Sequence, residues 1–302
     1  MFQQIDILQS TNSNVKKFVF TNDEGDRQLV AEAVLYKYPT YDKRTVICCS
    51  VQSGCPIGCS FCGTGEVFIR NLTASEIINQ VHICIDDVIR TDKIYPSDME
   101  RLQIMFMSMG EPMLNWKNTQ EAIRELNEEY PNASLLVSTV APDTENNFIE
   151  FTKLSSEIDN IGLQFSIHES TNEKRNLLVP FKSKWTLEQI SMWGSYWAGA
   201  TGRRPFFNYC VHDDNNSIDD AARLEELFPP EIWECTISVI CESDETVIAS
   251  LERQKDLANN FAGIMCENGF STRVFDPAGQ DDIGGGCGQL WFVQQWLEEH
   301  AK

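Results

Sequence analysis

Residues 45–62 read Thr45-Val46-Ile47-Cys48-Cys49-Ser50-Val51-Gln52-Ser53-Gly54-Cys55-Pro56-Ile57-Gly58-Cys59-Ser60-Phe61-Cys62. The run Thr45–Val51 is apolar and β-prone, the pattern of a strand covered on both faces. The next segment is a loop, punctuated by Gly54, Pro56 and Gly58 and carrying cysteines at 55, 59 and 62. Beyond it, Thr73 and Glu76 have the spacing of a capping box. They open a helix over 73–90, in which Ile77, Ile78, Val81, Ile85, Val88 and Ile89 form one apolar stripe. Strand, cysteine loop and helix make one β/α unit, and this unit decides how the rest of the chain is read.

The same alternation extends downstream. Strand-like runs occur at Leu102–Met107, Ser134–Thr139, Ile161–Ser166, Pro205–Val211, Cys235–Ile240 and Ser271–Phe275, with helical spacing between them. Ser217 and Asp220 form a second N-terminal cap, and 245–269 reads as a long helix stopped by Gly269. Alternation of this kind means parallel strands joined by helical crossovers, an α/β fold of about six units, open or closed as a barrel. Function in such folds collects where strands give way to loops at their C-terminal ends. Cys55 to Cys62, Gly110-Glu111-Pro112, Ser138-Thr139 and Ser166-Ile167-His168 all lie there. Residues 1–44 read as a short β-rich N-terminal extension with a turn at 22–25, and 45–302 as the barrel with a C-terminal cysteine loop. No internal repeat or linker divides the chain.

With 302 residues, 42% hydrophobic and 23% charged, the composition is globular and excludes disordered and collagen-like classes. No apolar run reaches membrane-span length, and the N-terminus lacks signal-peptide character. A cytoplasmic protein with no membrane partner is expected. The net charge of −21 opposes non-specific binding of polyanions. Basic residues come in pairs, and Lys182, Lys184, Arg203 and Arg204 are the candidates for any grip on nucleic acid. Eleven cysteines, an odd number, argue against a disulfide framework and for a reducing compartment. Five fall within 48–62, whereas Cys84, Cys210, Cys235, Cys241 and Cys266 lie in apolar patterns and are expected in the core.

Three thiolates on one tight loop suit a soft metal or an iron–sulfur cluster. A structural zinc site normally closes on four ligands, and no second C-x-x-C pair is present. With Phe61 before the last cysteine, the motif resembles that of radical S-adenosylmethionine enzymes. The runs Cys48-x-x-x-Gln52-x-Gly54-Cys55, Arg70-Asn71-Leu72-Thr73-Ala74, Met107-Ser108-Met109-Gly110-Glu111-Pro112, Ser166-Ile167-His168 and Asp281-Asp282-Ile283-Gly284-Gly285-Gly286-Cys287-Gly288-Gln289-Leu290 narrow the likeness. Together they resemble the RlmN/Cfr methyltransferases, which methylate adenine carbon 2 or 8 in ribosomal RNA. The likeness covers about residues 30–295.

The resemblance implies a partial (β/α)6 radical-SAM barrel and a 4Fe–4S cluster on Cys55, Cys59 and Cys62. It also implies two S-adenosylmethionine molecules per turnover. Gly110, Glu111, Ser138, Ser166, Ile167 and His168 would line the cofactor pocket. Ser243 stands near the place of a family asparagine that is not evident here. Cys287, in its glycine-rich loop, would carry a methyl group. In the implied reaction, a 5′-deoxyadenosyl radical takes hydrogen from that methyl group, and the resulting methylene joins the adenine ring in a covalent adduct. Glu32 would then remove a ring proton, an alignment needing about three extra residues before Arg44. Cys48 would release the product by disulfide formation. A flavodoxin- or ferredoxin-like electron donor and a monomeric state are expected.

Two departures bear on the substrate. Only about thirty residues precede Glu32, so the helical RNA-gripping domain of the family is expected to be missing or drastically reduced. The charge balance is acidic. RNA with an accessible adenine is the first expectation, and a small nucleotide-like heteroaromatic handled by the same chemistry is the alternative. A catalytically silent cluster-binding module would leave Cys48, Glu111 and Cys287 without a purpose.

Overall fold

The computed structural model describes residues 2–24, 27–239, 247–275 and 283–284. Three N-terminal strands, β1 (Gln4–Gln9), β2 (Val15–Glu24) and β3 (Arg27–Lys37), pair antiparallel in sequence. β3 then pairs antiparallel with β4 (Thr45–Cys49), setting Val34 opposite Cys48. A short hairpin of β5 (Gln52–Gly54) and β6 (Phe68–Asn71) flanks the cysteine loop. The rest of the main sheet is parallel: β7 (Leu102–Phe106), β8 (Ala133–Thr139), β9 (Ile161–Ser166), β10 (Phe206–Val211), β11 (Glu234–Val239) and β12 (Thr272–Phe275). Its order is β1-β2-β3-β4-β7-β8-β9-β10-β11-β12, so residues 1–44 continue the barrel sheet.

The crossovers are α1 (Ala74–Asp92), α2 (Trp116–Glu129), α3 (Glu145–Glu157), α4 (Asn172–Leu178) with α5 (Leu187–Thr201), α6 (Ile218–Leu227) and α7 (Val247–Glu267). The capping box of α1 is complete. Thr73 Oγ1 accepts from the Glu76 N–H at 3.3 Å, and Glu76 Oε2 accepts from the Thr73 N–H at 2.8 Å. Ile77, Ile78, Val81, Ile85 and Val88 bury the inner face of this helix. The box at Ser217 and Asp220 is also formed, and Gly269 has φ +87° after the end of α7. Cys84, Cys210 and Cys235 are buried as expected, but Cys266 is exposed. The inner face of α7 is taken by Ala258, Phe261, Ala262 and Met265, so the next residue turns to solvent. Cys241 lies outside the described residues.

Side-chain alternation along the parallel strands positions the site. Outward residues such as Ile104, Phe106, Leu135, Val137, Leu163, Phe165 and Ile237 form the core against the helices. Lumen-facing residues are far more polar, including Gln103, Ser134, Ser138, Gln164, Asn208, Thr236 and Ser238. Parallel strands covered on both faces normally read as continuous apolar runs. A polar inner face means the barrel interior is built to hold something other than its own side chains.

Candidate active site

The cysteine loop is shaped by backbone that only glycine fits. Gly54 has φ +75°, and a Cβ there would lie 1.9 Å from the Val67 carbonyl oxygen. The close approach lets the Cys55 N–H donate to that oxygen at 2.9 Å. The Cys62 N–H donates to the Cys59 carbonyl at 3.0 Å, and the Ser60 N–H to the Leu178 carbonyl at 2.9 Å, tying the loop to the end of α4. Cys55, Cys59 and Cys62 are each half-buried and line one cavity of about 140 Å³ at the C-terminal strand ends.

Glu111 lines the same cavity and is buried. Its Oε1 accepts from the Thr139 hydroxyl at 2.6 Å and the Met113 N–H at 2.9 Å, and its Oε2 from the Val140 N–H at 2.8 Å. Desolvation outweighs these hydrogen bonds and raises its pKa to about 7. Gln52 supports it by accepting from the Glu111 N–H at 2.8 Å. The preceding Gly110, at φ +94°, has no space for a Cβ, which would meet Gln52 Cβ at 2.5 Å.

The opposite wall comes from β8, β9 and β10. Ser138 and Ser166 hydroxyls stand 3.3 Å apart. His168 is buried in the left-handed region at φ +60°. Its Nδ1 accepts from the Cys210 N–H at 3.2 Å, which leaves the proton on Nε2 in the neutral ring. Burial, then the nearby Arg175 and His212, lower its pKa to about 3. Phe61 meets its ring edge-on at 5.1 Å. Ile167 is buried, and its side chain is not among those lining the cavity.

Cys48 projects from β4 into this cavity and also lines a second one of about 440 Å³. Its thiol approaches Met105 Sδ at 3.9 Å, and it packs in a cluster with Val34, Met109 and Ile283. Cys287 and Ser243 lie outside the described residues. Glu32 is fully buried and does not line either cavity. Its Oε2 pairs with Lys17 Nζ at 3.1 Å, both side chains being solvent-free. The Ser50 and Ser108 hydroxyls donate to its carbonyl at 2.6 and 2.7 Å. Sequence reading missed Asn208, which faces both cavities and accepts from the Ser238 hydroxyl at 2.6 Å. An Asn inside the apolar run Phe206–Val211 was the available signal.

Among the described residues no three His, Cys, Asp or Glu side chains are close enough to share one metal ion. A 4Fe–4S cluster does not require that, since each thiolate takes its own iron. Burial, and then the nearby Glu111 and Cys62, push the Cys55 thiol up to about 12. Iron reverses that balance, because a coordinated thiol is deprotonated outright. Three thiols on one cavity wall, one of them beside a carboxylate that disfavours its bare thiolate, therefore fit the group.

The proposed nucleic-acid cations are divided between the two ends of the barrel. Lys184 donates to Asn176 Oδ1 at 2.6 Å, on the side of the cysteine loop. Arg203 donates to the Ser155 carbonyl at 2.5 Å, and Arg204 donates to the Pro230 and Trp233 carbonyls, both at the N-terminal strand ends.

No protein-family model matches the sequence. The chain is 31% identical over 279 residues to the probable dual-specificity RNA methyltransferase RlmN of Thermotoga neapolitana, covering 91% of this chain and 75% of that one. It is 31% identical over 289 residues to the dual-specificity RNA methyltransferase RlmN of Halorhodospira halophila, covering 93% and 74%. The crystal structure of a radical SAM methyltransferase from Sphaerobacter thermophilus superposes with TM-score 0.78 at 27% identity, covering 94% of this chain and 80% of that one.

Proposed function

This chain belongs to the RlmN family of radical S-adenosylmethionine methyltransferases, and from that premise we propose that it methylates carbon 2 or carbon 8 of an adenine in RNA. Cys287 is the methyl carrier in this reading. The observation that carries it is the position of Cys48, in a wall common to both cavities and packed against Ile283, four residues before Cys287.

The cofactors are a 4Fe–4S cluster and S-adenosylmethionine, which when bound supply the one-electron chemistry that an unreactive ring carbon needs. Cys55, Cys59 and Cys62 hold the cluster. Glu111 offers a buried carboxylate to the cationic amine of S-adenosylmethionine, with Gly110 leaving room for close approach. Ser138, Ser166 and His168 line the far wall, Ile167 contributes backbone, and Ser243 takes the asparagine's place. Glu32, buried against Lys17 and outside both cavities, is not placed to take the ring proton from a base held in them. Cys48 thiolate then attacks the Cys287 sulfur. A disulfide forms as the carbon–sulfur bond breaks, the electron pair of that bond and a proton complete the product methyl group, and two equivalents of an external thiol restore both cysteines. An electron donor of the flavodoxin or ferredoxin class reduces the cluster. No helix among the described residues is long and apolar enough to cross a membrane.

The test offers methyl-labelled S-adenosylmethionine to ribosomal RNA, transfer RNA and free adenine nucleotides in parallel. Wild-type enzyme should label adenine in RNA, and Cys287→Ala should label nothing. Cys48→Ala should accumulate a covalent protein–RNA adduct, because attachment precedes the step it performs. Full turnover by Cys287→Ala would overturn the carrier mechanism.

A further inference from the structure

The 440 Å³ cavity fills the N-terminal half of the lumen, at the opposite end from the cysteine loop. That volume is within the range of small-molecule sites. Its mouth carries Arg44, Arg101, Arg203 and Arg273, with Asp159 as the acidic residue of the lining. In a chain of net charge −21 this concentration of cations is the reverse of the general surface.

The four guanidinium groups are not equally committed. Arg203 is bound to the Ser155 carbonyl, pairs with Asp159 at 3.6 Å and stacks over Trp197 at 5.2 Å. Arg273 shares Glu234 with Arg204, at 3.4 and 3.6 Å, and lies over Phe206 at 4.4 Å. Arg44 donates through Nε to Gln103 Oε1 at 2.9 Å and rests on the Tyr38 ring at 5.0 Å. Its terminal nitrogens and the Arg101 guanidinium make no hydrogen bond among the described residues. Burial first, and then the like charges of Arg101 and Arg273, hold Arg44 below its usual value, so these three groups act on one another. Glu234 reaches Arg273, but among the described residues no carboxylate pairs with Arg44 or Arg101, and an anion would offset them.

We propose that this mouth is a phosphate site for a nucleotide-sized ligand, held by Arg44, Arg101 and Arg273. Guanidinium forks match phosphate oxygens in a bidentate geometry that lysine cannot supply. In the same lining, Tyr36 and Tyr38 stack on one another at 6.0 Å with planes 13° apart and form an aromatic wall beside the arginines. A ligand anchored there extends toward Cys48 and Asn208, which the two cavities share. The site requires neither Cys287 nor methyl transfer, so it stands or falls apart from the proposed reaction.

Calorimetric titration of the cluster-loaded full chain tests it, at low salt and with saturating S-adenosylmethionine filling the catalytic cavity. AMP and inorganic pyrophosphate should bind saturably, and adenosine about tenfold or more weakly, the increment of one charge-assisted contact. Arg44→Gln/Arg101→Gln should weaken AMP by at least about tenfold, as should Arg273→Gln, while Lys153→Gln on the outer surface should not. Circular dichroism and melting temperature establish that each variant is folded. Adenosine binding as tightly as AMP, AMP binding unchanged in the folded arginine variants, or no saturable AMP binding by wild type would each overturn the proposal.

Discussion

Gly54 and His168 show how single residues set the conditions for the chemistry. Alanine at 54 would put its Cβ on the Val67 carbonyl oxygen, at a φ of +75° that L-residues rarely adopt. The strain, about 1–3 kcal/mol, falls on the loop that presents Cys55. Gly54→Ala should therefore retain much less iron after anaerobic reconstitution. Gly199→Ala, where an added Cβ meets nothing within 4 Å, should match wild type. Equal iron content in both variants would remove glycine's proposed role in shaping the loop. His168 makes a prediction in pH. In the folded protein it stays neutral down to about pH 3, whereas unfolded it takes a proton near its ordinary value of 6.5. Between those values the unfolded state binds more protons, so stability is lost as pH falls through the window. Urea midpoints should decline from pH 7 to pH 4 less steeply in His168→Gln than in wild type, and identical slopes would contradict the assignment.

At the scale of elements, local signals and long-range ones separate. Thr73→Ala removes the acceptor that caps α1 and should cost about 1 kcal/mol in chemical denaturation, the Arg70–Glu76 pair at 2.8 Å remaining. Both capping boxes, the Gly269 stop and the bounds of β9 were legible, because each depends on neighbours within a turn or on strict alternation. β4 ends at Cys49, two residues before the apolar run does, because Ser50 and Val51 leave the ladder. The Ser50 N–H donates to Gln80 Oε1 at 2.9 Å, and the Val51 N–H to the Met109 carbonyl at 2.9 Å. Partners thirty and more residues away leave no mark on local periodicity. The same reason hid Asn208 and the meeting of Arg44 with Arg101 and Arg273, and the Lys17–Glu32 pair, fifteen residues apart, depends on the β2–β3 register. The three loop cysteines and Glu111 were readable because motif spacing and strand ends already place them together. α5 shows a third kind of constraint. Gly194 lies against Trp233, whose Cη2 would be 2.1 Å from an added Cβ. Gly194→Ala should overpack this contact by about 1–3 kcal/mol.

For the whole molecule the question is how an acidic protein would hold a polyanion such as the proposed RNA. Net charge of −21 sets long-range repulsion, but RNA affinity depends on the few cations that reach phosphates within a Debye length. Lys184 interacts with Cys59 at the cysteine-loop end of the barrel, and Lys182 lies two residues before it. Arg203 and Arg204 are bonded to backbone carbonyls at the other end and cannot serve the same strand contact. If RNA is the substrate, its grip near the reacting base therefore rests on the lysine side. The logarithm of affinity should fall linearly with the logarithm of salt, by about 0.7 for each single-strand phosphate contacted. Lys182→Gln/Lys184→Gln should reduce that slope by about 1.4, two contacts' worth, while Arg204→Gln should leave it unchanged. Fluorescence anisotropy of a labelled single-stranded RNA across a salt series reads both numbers. A slope equal in wild type and the lysine double variant would place the RNA elsewhere. No salt-sensitive RNA binding, together with methyl label found only in free nucleotides, would make the arginine-lined lumen the route by which substrate reaches Cys48.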